Sequence, residues 1–158
     1  MQSQKILIRK SETADTRSCD FANVSKDQLL NSSKQHIGDV RVGIRFFVNL
    51  LTAAGNVHDF DKIEDIDGFH RDFIGGLAQT TWWDNHRKVN RHHLLVADGV
   101  PEDVNLVDVI DMIVDCVMAG MARTGTVYPL NVSDSVLRSA FDNTVELLKS
   151  SVVVEGGE

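Results

Sequence analysis

Five of the six histidines of this chain form an ordered series with two aspartates. In chain order the series consists of His36, His58, Asp59, His86, His92, His93 and Asp115. Imidazole nitrogens and carboxylate oxygens are the ligands that borderline divalent metals prefer. Because the chain has only two cysteines, this concentration of histidines predicts a metal site built mainly from imidazole and carboxylate groups.

The doublet His58-Asp59 is the centre of the series. Neighbouring residues of a regular helix point about 100° apart, so both side chains reach one ion only at a helix end or an irregular turn. The preceding Gly55-Asn56 is predicted to supply that irregularity, and Asp59 can then bridge two ions while His58 binds one. The alternative is a solvated acidic loop, because four more acidic residues follow. They are Asp61, Glu64, Asp65 and Asp67.

Two further candidates lie on predicted helices. His36 borders an apolar stripe and is predicted to point inward, as a core histidine or as a ligand. Asp108, Asp111 and Asp115 share one face of the helix predicted for Asn105–Arg123. The opposite face carries Val109, Ile110, Ile113, Val114 and Val117. The aspartate face is either solvated or buried, and a buried carboxylate needs a partner such as a metal, which favours Asp115.

The stretch from Trp83 to His93 is the densest in chemical groups. On a helix, His86 shares a face with Asn90 and with His93, whereas His92 points elsewhere. Guanidinium groups hold phosphate oxygens, so the predicted substrate contacts are Arg87, Asn90 and Arg91. Ordinary solvation of a charged surface is the alternative for these side chains, and Trp82 and Trp83 are expected to pack in the core.

Hydrophobic periodicity predicts an all-α fold of about five helices, with a possible short strand at residues 4–9. Ser25 is expected to cap the first helix and Gly55 to end it. A helix is predicted over 81–96, another over 105–123, and a last one capped by Ser133. We expect one domain over 1–158, with an N-terminal extension (1–24), a helical core (25–151) and a tail (152–158).

Composition narrows the class of protein. The 158 residues carry a net charge of −7, which argues against general nucleic-acid binding. Cys19 and Cys116 are isolated and form no disulfide framework, which is typical of a reducing compartment. The first ten residues lack the apolar region of a secretion signal, and no stretch has the length of a membrane span. The sequence therefore predicts a soluble, cytoplasmic protein.

The ordered series resembles the HD-domain superfamily of metal-dependent phosphohydrolases. His58-Asp59-Phe60-Asp61-Lys62 is similar to the His-Asp-x-x-Lys of its dinuclear branch, and Val114–Ala119 is similar to the superfamily's final Asp motif. His86-x-x-x-Asn90-x-His92-His93 resembles a family of small uncharacterised phage proteins, and the resemblance spans roughly Ser33 to Arg123. This chain has Asn85-His86 where that family has two adjacent histidines, and Asp111 as the acidic residue before the final Asp.

The resemblance implies a compact HD-domain-like bundle that holds two divalent ions (Mn, Fe, Mg, Co, Ni or Zn). The implied ligands of one ion are His36, His58, Asp59 and Asp115. His86 and His93, with His92, would complete the second, and Asp59 would bridge. A metal-activated water would attack the phosphorus of a small phosphorylated substrate such as a nucleotide, with Lys62 positioning that water or neutralising the phosphate.

Two other functions stay open on the sequence alone. A mixed-valence di-iron oxygenase uses nearly the same ligands, so ligand order does not separate it from a hydrolase. A non-enzymatic, metal-stabilised phage protein that binds a host or viral partner is the other alternative. Homo-oligomers are compatible with each function, a phage-encoded chain would act in the host cytoplasm, and the sequence assigns no role to His70.

Overall fold

A computed structural model describes residues 5–10, 22–77 and 81–155 of the chain. The predicted polar loop over 11–21, including Cys19, and the last three residues of the tail lie outside these ranges. The described residues form five helices of eight residues or more and one shorter helix. Their bounds are α1 Lys26–Val57, α2 Phe60–Glu64, α3 Ile66–Ile74, α4 Trp82–Val89, α5 Leu106–Thr124 and α6 Asp134–Ser151. The predicted all-α class is confirmed.

Two short strands accompany the helices. The predicted N-terminal strand is present as β1, Ile6–Arg9. A second strand, β2, spans Val152–Glu155 and pairs with β1 in parallel, with Ile6 opposite Val152. The first four residues of the predicted tail (152–158) therefore form a strand. The β-branched run favours a strand, but its partner lies near the other end of the chain, where no local pattern reveals it.

The chain divides into two compact units. The first comprises Met1–Asn49 and Glu146–Glu158, and the second comprises Leu50–Val145. The single domain expected from chain length stays a prediction. All the predicted ligands except His36 lie in the second unit. Within the first unit, Gln35 Nε2 donates to the carbonyl of Arg9 at 2.9 Å, which ties β1 to α1.

The start of α1 was predictable and its end was not. Ser25 Oγ accepts from the Gln28 backbone N–H at 3.2 Å, and Gln28 Oε1 accepts in return from the Ser25 N–H at 2.9 Å. This reciprocal pair caps the helix. The prediction that Gly55 ends α1 is wrong, because the helix continues through Gly55 to Val57. An isolated glycine weakens a helix without being obliged to break it.

The side of α1 that faces protein differs from the one that its apolar pattern predicts. Ile37 and Ile44 are 48% and 61% exposed, whereas Ser32 and Phe46 are buried. His36 is exposed as well, so the prediction that it points inward is wrong. Apolar spacing gives the period of a helix, but it does not decide which side meets the rest of the unit.

The core of the second unit surrounds α5. It consists of Leu94, Val104, Val109, Met112 and Ala140. α5 starts at a capping box in which Asn105 Oδ1 accepts from the Val107 N–H and Asp108 Oδ2 accepts from the Asn105 N–H, both at 2.9 Å. Gly125, at φ 71°, ends the helix. No helix in the part of the chain that the structure describes combines the length and apolar character that a bilayer crossing requires.

The aspartate face of α5 is turned toward protein. Asp108 and Met112 are 5% and 3% exposed, while Ile113 and Val114 on the predicted core face are 42% and 53% exposed. The solvated acidic stripe is thus excluded for Asp108, and the predicted burial of Ile113 and Val114 is wrong. Val109 of the predicted apolar face does lie in the core. The aspartate face is turned toward protein because its carboxylates have cationic and imidazole partners, Arg91 and His58 among them.

Candidate metal centre

The His58-Asp59 doublet lies in the turn between α1 and α2, as its predicted geometry requires. The irregularity is at the doublet itself, not at Gly55-Asn56, because Asp59 adopts the left-handed conformation with φ 53° and ψ 24°. That conformation costs a non-glycine residue about 1–2 kcal/mol. The Asp59 N–H donates to Asn90 Oδ1 at 3.0 Å, and this contact holds the turn. The Asp59 carboxylate makes no capping hydrogen bond to α2 and is therefore free to face the histidines.

Three histidine nitrogens converge on the Asp59 carboxylate. His58 Nε2 lies 3.6 Å from Asp59 Oδ2, while His92 Nε2 and His86 Nε2 lie 3.5 and 3.4 Å from Asp59 Oδ1. These distances are long for hydrogen bonds. They are close to the roughly 3.3–3.4 Å that separates two ligand atoms of one tetrahedral ion with bonds of about 2.0–2.1 Å. The spacing is that of a ligand shell.

Two groups of ligand atoms are close enough to hold an ion. They are His58, Asp59 and His92, and Asp59, His86 and His93. Asp59 belongs to both groups, so its carboxylate lies between them. Asp59 Oδ1 and His92 Nε2 are buried and have no hydrogen-bond partner in the described residues. Buried polar atoms rarely stay unsatisfied, and one cation between these two would satisfy both.

Carboxylates behind the histidines aim their Nε2 atoms at this centre. His58 Nδ1 lies 2.9 Å from Asp111 Oδ1, and His86 Nδ1 lies 2.9 Å from Asp61 Oδ2. His92 Nδ1 is 3.6 Å from the other oxygen of Asp111. Metal-bound histidines characteristically use their second nitrogen in this way, which fixes the ring and raises its basicity. The supporting roles of Asp61 and Asp111 were not predicted from the sequence. The available signal was position: Asp61 is two residues after Asp59, and Asp111 is one helical turn before Asp115.

His86 is the most enclosed of the candidate ligands. Its side chain is fully buried, and the rings of Trp82 and Trp83 stack on it at centroid distances of 5.1 and 4.9 Å. Its Nε2 lies 2.9 Å from Nε2 of His93. Burial, with the neighbouring His92 and His86, lowers the pKa of His93 to about 3. His93 is therefore neutral at physiological pH, in the form that binds metal.

The predicted reason for the meeting of His86 and His93 is wrong, although the two rings do meet. A helix over 81–96 was expected to place both on one face, but α4 stops at Val89. Asn90 has an extended backbone, and its amide donates to Asp61 Oδ1 at 2.9 Å and to the His86 carbonyl at 3.1 Å. These contacts favour a chain reversal, which turns His92 and His93 back toward His86.

Of the two remaining predicted ligands, Asp115 lies near the candidate centre and His36 belongs to the other unit. Asp115 Oδ1 lies 3.7 Å from His58 Nε2, at the more open side of the centre. His36 belongs to the first unit, where it lines a mainly apolar cavity of about 580 Å³ beside Val40 and Phe47. The candidate ligand groups among the described residues do not include it.

Lys62 supplies positive charge directly at the doublet. Its Nζ lies 2.5 Å from Asp59 Oδ2 and 5.8 Å from the centroid of the Phe69 ring. Burial favours the neutral acid of Asp59, but the hydrogen bond and the charge of Lys62 outweigh it, so the pKa of Asp59 is lowered. Asp59 is therefore an anion at neutral pH, as a bridging ligand must be.

The two arginines predicted to contact substrate are both paired with aspartates. Arg91 Nε and one terminal nitrogen donate to the two oxygens of Asp108 at 2.8 and 2.9 Å, and the other terminal nitrogen donates to Asp103. The hydrogen bond to Asp108 raises the pKa of Arg91 further. This fork links the loop after α4 to the start of α5.

Arg87 is engaged in the same manner. Its terminal nitrogen lies 2.6 Å from Asp84 Oδ1 and 2.9 Å from Asp98 Oδ2. Asn90, the third predicted substrate contact, is buried and bonded to Asp59 and Asp61. Arg87 also lines a cavity of about 130 Å³ with His92 and His93, and its buried Nε has no hydrogen-bond partner in the described residues. The predicted substrate contacts of these three side chains therefore stay predictions.

The second unit thus gathers five predicted ligands in two groups, with two unpredicted carboxylates behind their rings. Asp115 lies beside His58 but belongs to neither group. A mixed imidazole and carboxylate set around one bridging aspartate suits a pair of borderline divalent ions more than a single hard cation. Comparisons with family models, with curated proteins and with solved structures found no match to this chain.

Proposed function

We propose that the second unit is a dinuclear metal centre that hydrolyses a small phosphoester. The observation that carries the proposal is the pair of buried, unsatisfied atoms, Asp59 Oδ1 and His92 Nε2, 3.5 Å apart. The HD-like order of the ligands in the sequence supports the same reaction class. Divalent ions in such a set supply a nucleophilic water at neutral pH and polarise a phosphoryl oxygen.

The residues of the chain have separate tasks in this proposal. Asp59 bridges the two positions, and the left-handed turn and Asn90 fix its orientation. Asp111 and Asp61 hold the rings of His58 and His86, so that the Nε2 atoms of both rings face Asp59. These supports are in place without movement of the backbone, so little reorganisation precedes binding.

A small cavity lies beside this centre. Its volume is about 130 Å³, and its walls include His92, His93 and Asp115. At about 30 Å³ per water it has room for roughly four water molecules, which suits one phosphoryl group with an attacking water. The positively charged Lys62 side chain, paired with Asp59, adds positive charge at the candidate centre.

The first test is metal content. We expect elemental analysis and titration calorimetry with Mn²⁺, Co²⁺ and Zn²⁺ to give two ions per chain, and His58→Ala to lose binding. His70→Ala is the matched control, because His70 is an exposed histidine of the same unit that belongs to neither ligand group. Equal metal content in wild type and His58→Ala would refute the centre.

The second test is turnover. The metal-loaded protein is expected to release phosphate from nucleotides or glycerol phosphate, with His58→Ala inactive and His70→Ala active. Oxygen consumption by an iron-loaded protein with no phosphate release would instead identify an oxygenase. Metal binding that raises the melting temperature without turnover of any of these compounds would indicate a structural centre.

A further inference from the structure

A groove leads away from the candidate centre within the second unit. The 130 Å³ cavity beside His92 and His93 shares three lining residues with a second cavity of about 390 Å³. The shared residues are Leu95, Asp115 and Cys116. The two cavities therefore lie side by side, with these three residues between them.

The floor and one wall of the larger cavity are built around Gly120. α5 presents Ala119 and Gly120 to the cavity, and the segment Tyr128–Leu130 faces them. A Cβ at Gly120 would lie 2.5 Å from the backbone oxygen of Thr126. Only glycine lets the chain after α5 pass this close, so Gly120 sets the width of the groove.

The far part of the groove combines an aromatic ring with a cation. Tyr128 is 72% exposed and lines the cavity, as does Arg123, which lies two helical turns beyond Asp115 on α5. Eight residues at 1.5 Å each place Arg123 about 12 Å along the helix from Asp115. Planar, mostly apolar rings stack on tyrosine, and a guanidinium donates hydrogen bonds to the carbonyl oxygens or anionic groups that such rings carry.

We propose that this groove is the specificity pocket of the centre and takes the base and sugar of a nucleotide. The phosphate would occupy the small cavity, and the base would stack on Tyr128 between the apolar walls of Leu95, Pro129 and Leu130. The proposal rests on the function proposed above. The volumes agree with it, because 130 Å³ admits a phosphoryl group only, whereas 390 Å³ lies in the range of small-molecule pockets.

Binding is measured against a compound that shares only the phosphate. Affinities of AMP, GMP, CMP and UMP are compared with that of glycerol phosphate, on Mn²⁺-loaded protein, by calorimetry. Alkylation of Cys116 by a maleimide gives a second readout, in a Cys19→Ser background, because Cys116 lines both cavities. We expect at least one nucleotide to bind about tenfold tighter than glycerol phosphate and to protect Cys116.

The variants separate the groove from the centre. Tyr128→Ala and Arg123→Gln are each expected to weaken nucleotide binding by about tenfold and to raise KM without lowering kcat. Metal stoichiometry and glycerol phosphate affinity should not change. Met118→Ala is the control on the same helix, since Met118 is 66% exposed and outside the groove. Gly120→Ala, which displaces the wall, is expected to act like Tyr128→Ala.

The outcomes distinguish the two proposals. Glycerol phosphate binding that requires Mn²⁺, with nucleotides binding no tighter and the variants without effect, would overturn the groove and leave the centre. Nucleotide binding that depends on Tyr128 but not on metal would support the groove and refute the hydrolytic centre. Absence of nucleotide binding to the metal-loaded protein also overturns the groove.

Discussion

Three aspartates of α5 occupy one helix face, yet the structure predicts three different effects when each becomes asparagine. Asp108→Asn weakens the fork from Arg91 and the cap at Asn105. Hydrogen bonds to charged groups contribute about 1.5–3 kcal/mol, and part of this is lost to solvent screening because Arg91 is 40% exposed. We therefore expect the free energy of unfolding to fall by about 1–2 kcal/mol while metal affinity stays within about twofold of wild type.

Asp111→Asn is expected to do the opposite. The amide keeps the shape of the side chain but withdraws the charge that faces His58 Nδ1 at 2.9 Å. Loss of such a supporting carboxylate typically lowers metal affinity by about 10–100-fold. Asp115→Asn should lower affinity at least as much for one ion, because an amide oxygen carries no charge to offset that of the cation. Neither change should lower the unfolding free energy as far as Asp108→Asn does.

The assay is calorimetric metal titration of the three variants beside wild type, with urea denaturation of the same samples in chelator. Equal metal affinity in all three variants and wild type would refute these predictions, because that is the result expected if the aspartates only form a solvated helix face. They are also refuted if Asp108→Asn loses affinity as much as Asp111→Asn while its denaturation midpoint is unchanged.

Four further substitutions test the centre. Asp59→Ala should abolish metal-dependent turnover and leave the helical circular dichroism intact, because Asp59 lies in a turn; retained activity would contradict the bridge. His86→Gln and His93→Ala should lower the stoichiometry from two ions to one, and a wild type that binds a single ion would show the site to be mononuclear. Asn90→Ala should reduce the unfolding free energy by about 2–4 kcal/mol, since three hydrogen bonds are lost, and a change below 1 kcal/mol in urea denaturation would contradict its role as a clamp.

Local signals predicted the elements that depend on local chemistry. The helix starts at Ser25, Asn105 and Ser133 follow from side chains that bond to backbone N–H groups two or three residues ahead. The end of the helix predicted over 105–123 follows from Gly125, which adopts the positive φ that glycine tolerates. Such contacts join residues within one helical turn, so they can be predicted from the local sequence alone.

The remainder depended on contacts between distant residues. α4 ends at Asn90 because Asp59 and Asp61 bind its side chain, and β2 exists because β1 pairs with it. The ligand order was readable from the sequence, since histidine and aspartate types alone suggest a metal. The roles of Asp61 and Asp111 were not, because only the folded chain shows which carboxylate stands behind which ring.

The contact between Lys62 and Asp59 has a thermodynamic consequence. An ammonium group already neutralises the bridging carboxylate, and hydrogen bonds to Asp61, Asn90 and Asp111 hold the surrounding side chains. A metal ion that binds here therefore competes with the Lys62 ammonium for Asp59. Because the chain is already folded, metal binding contributes little to folding, unlike in a zinc finger. Chelation should leave a folded chain, and added metal should raise the melting point only by mass action, in proportion to the logarithm of its concentration.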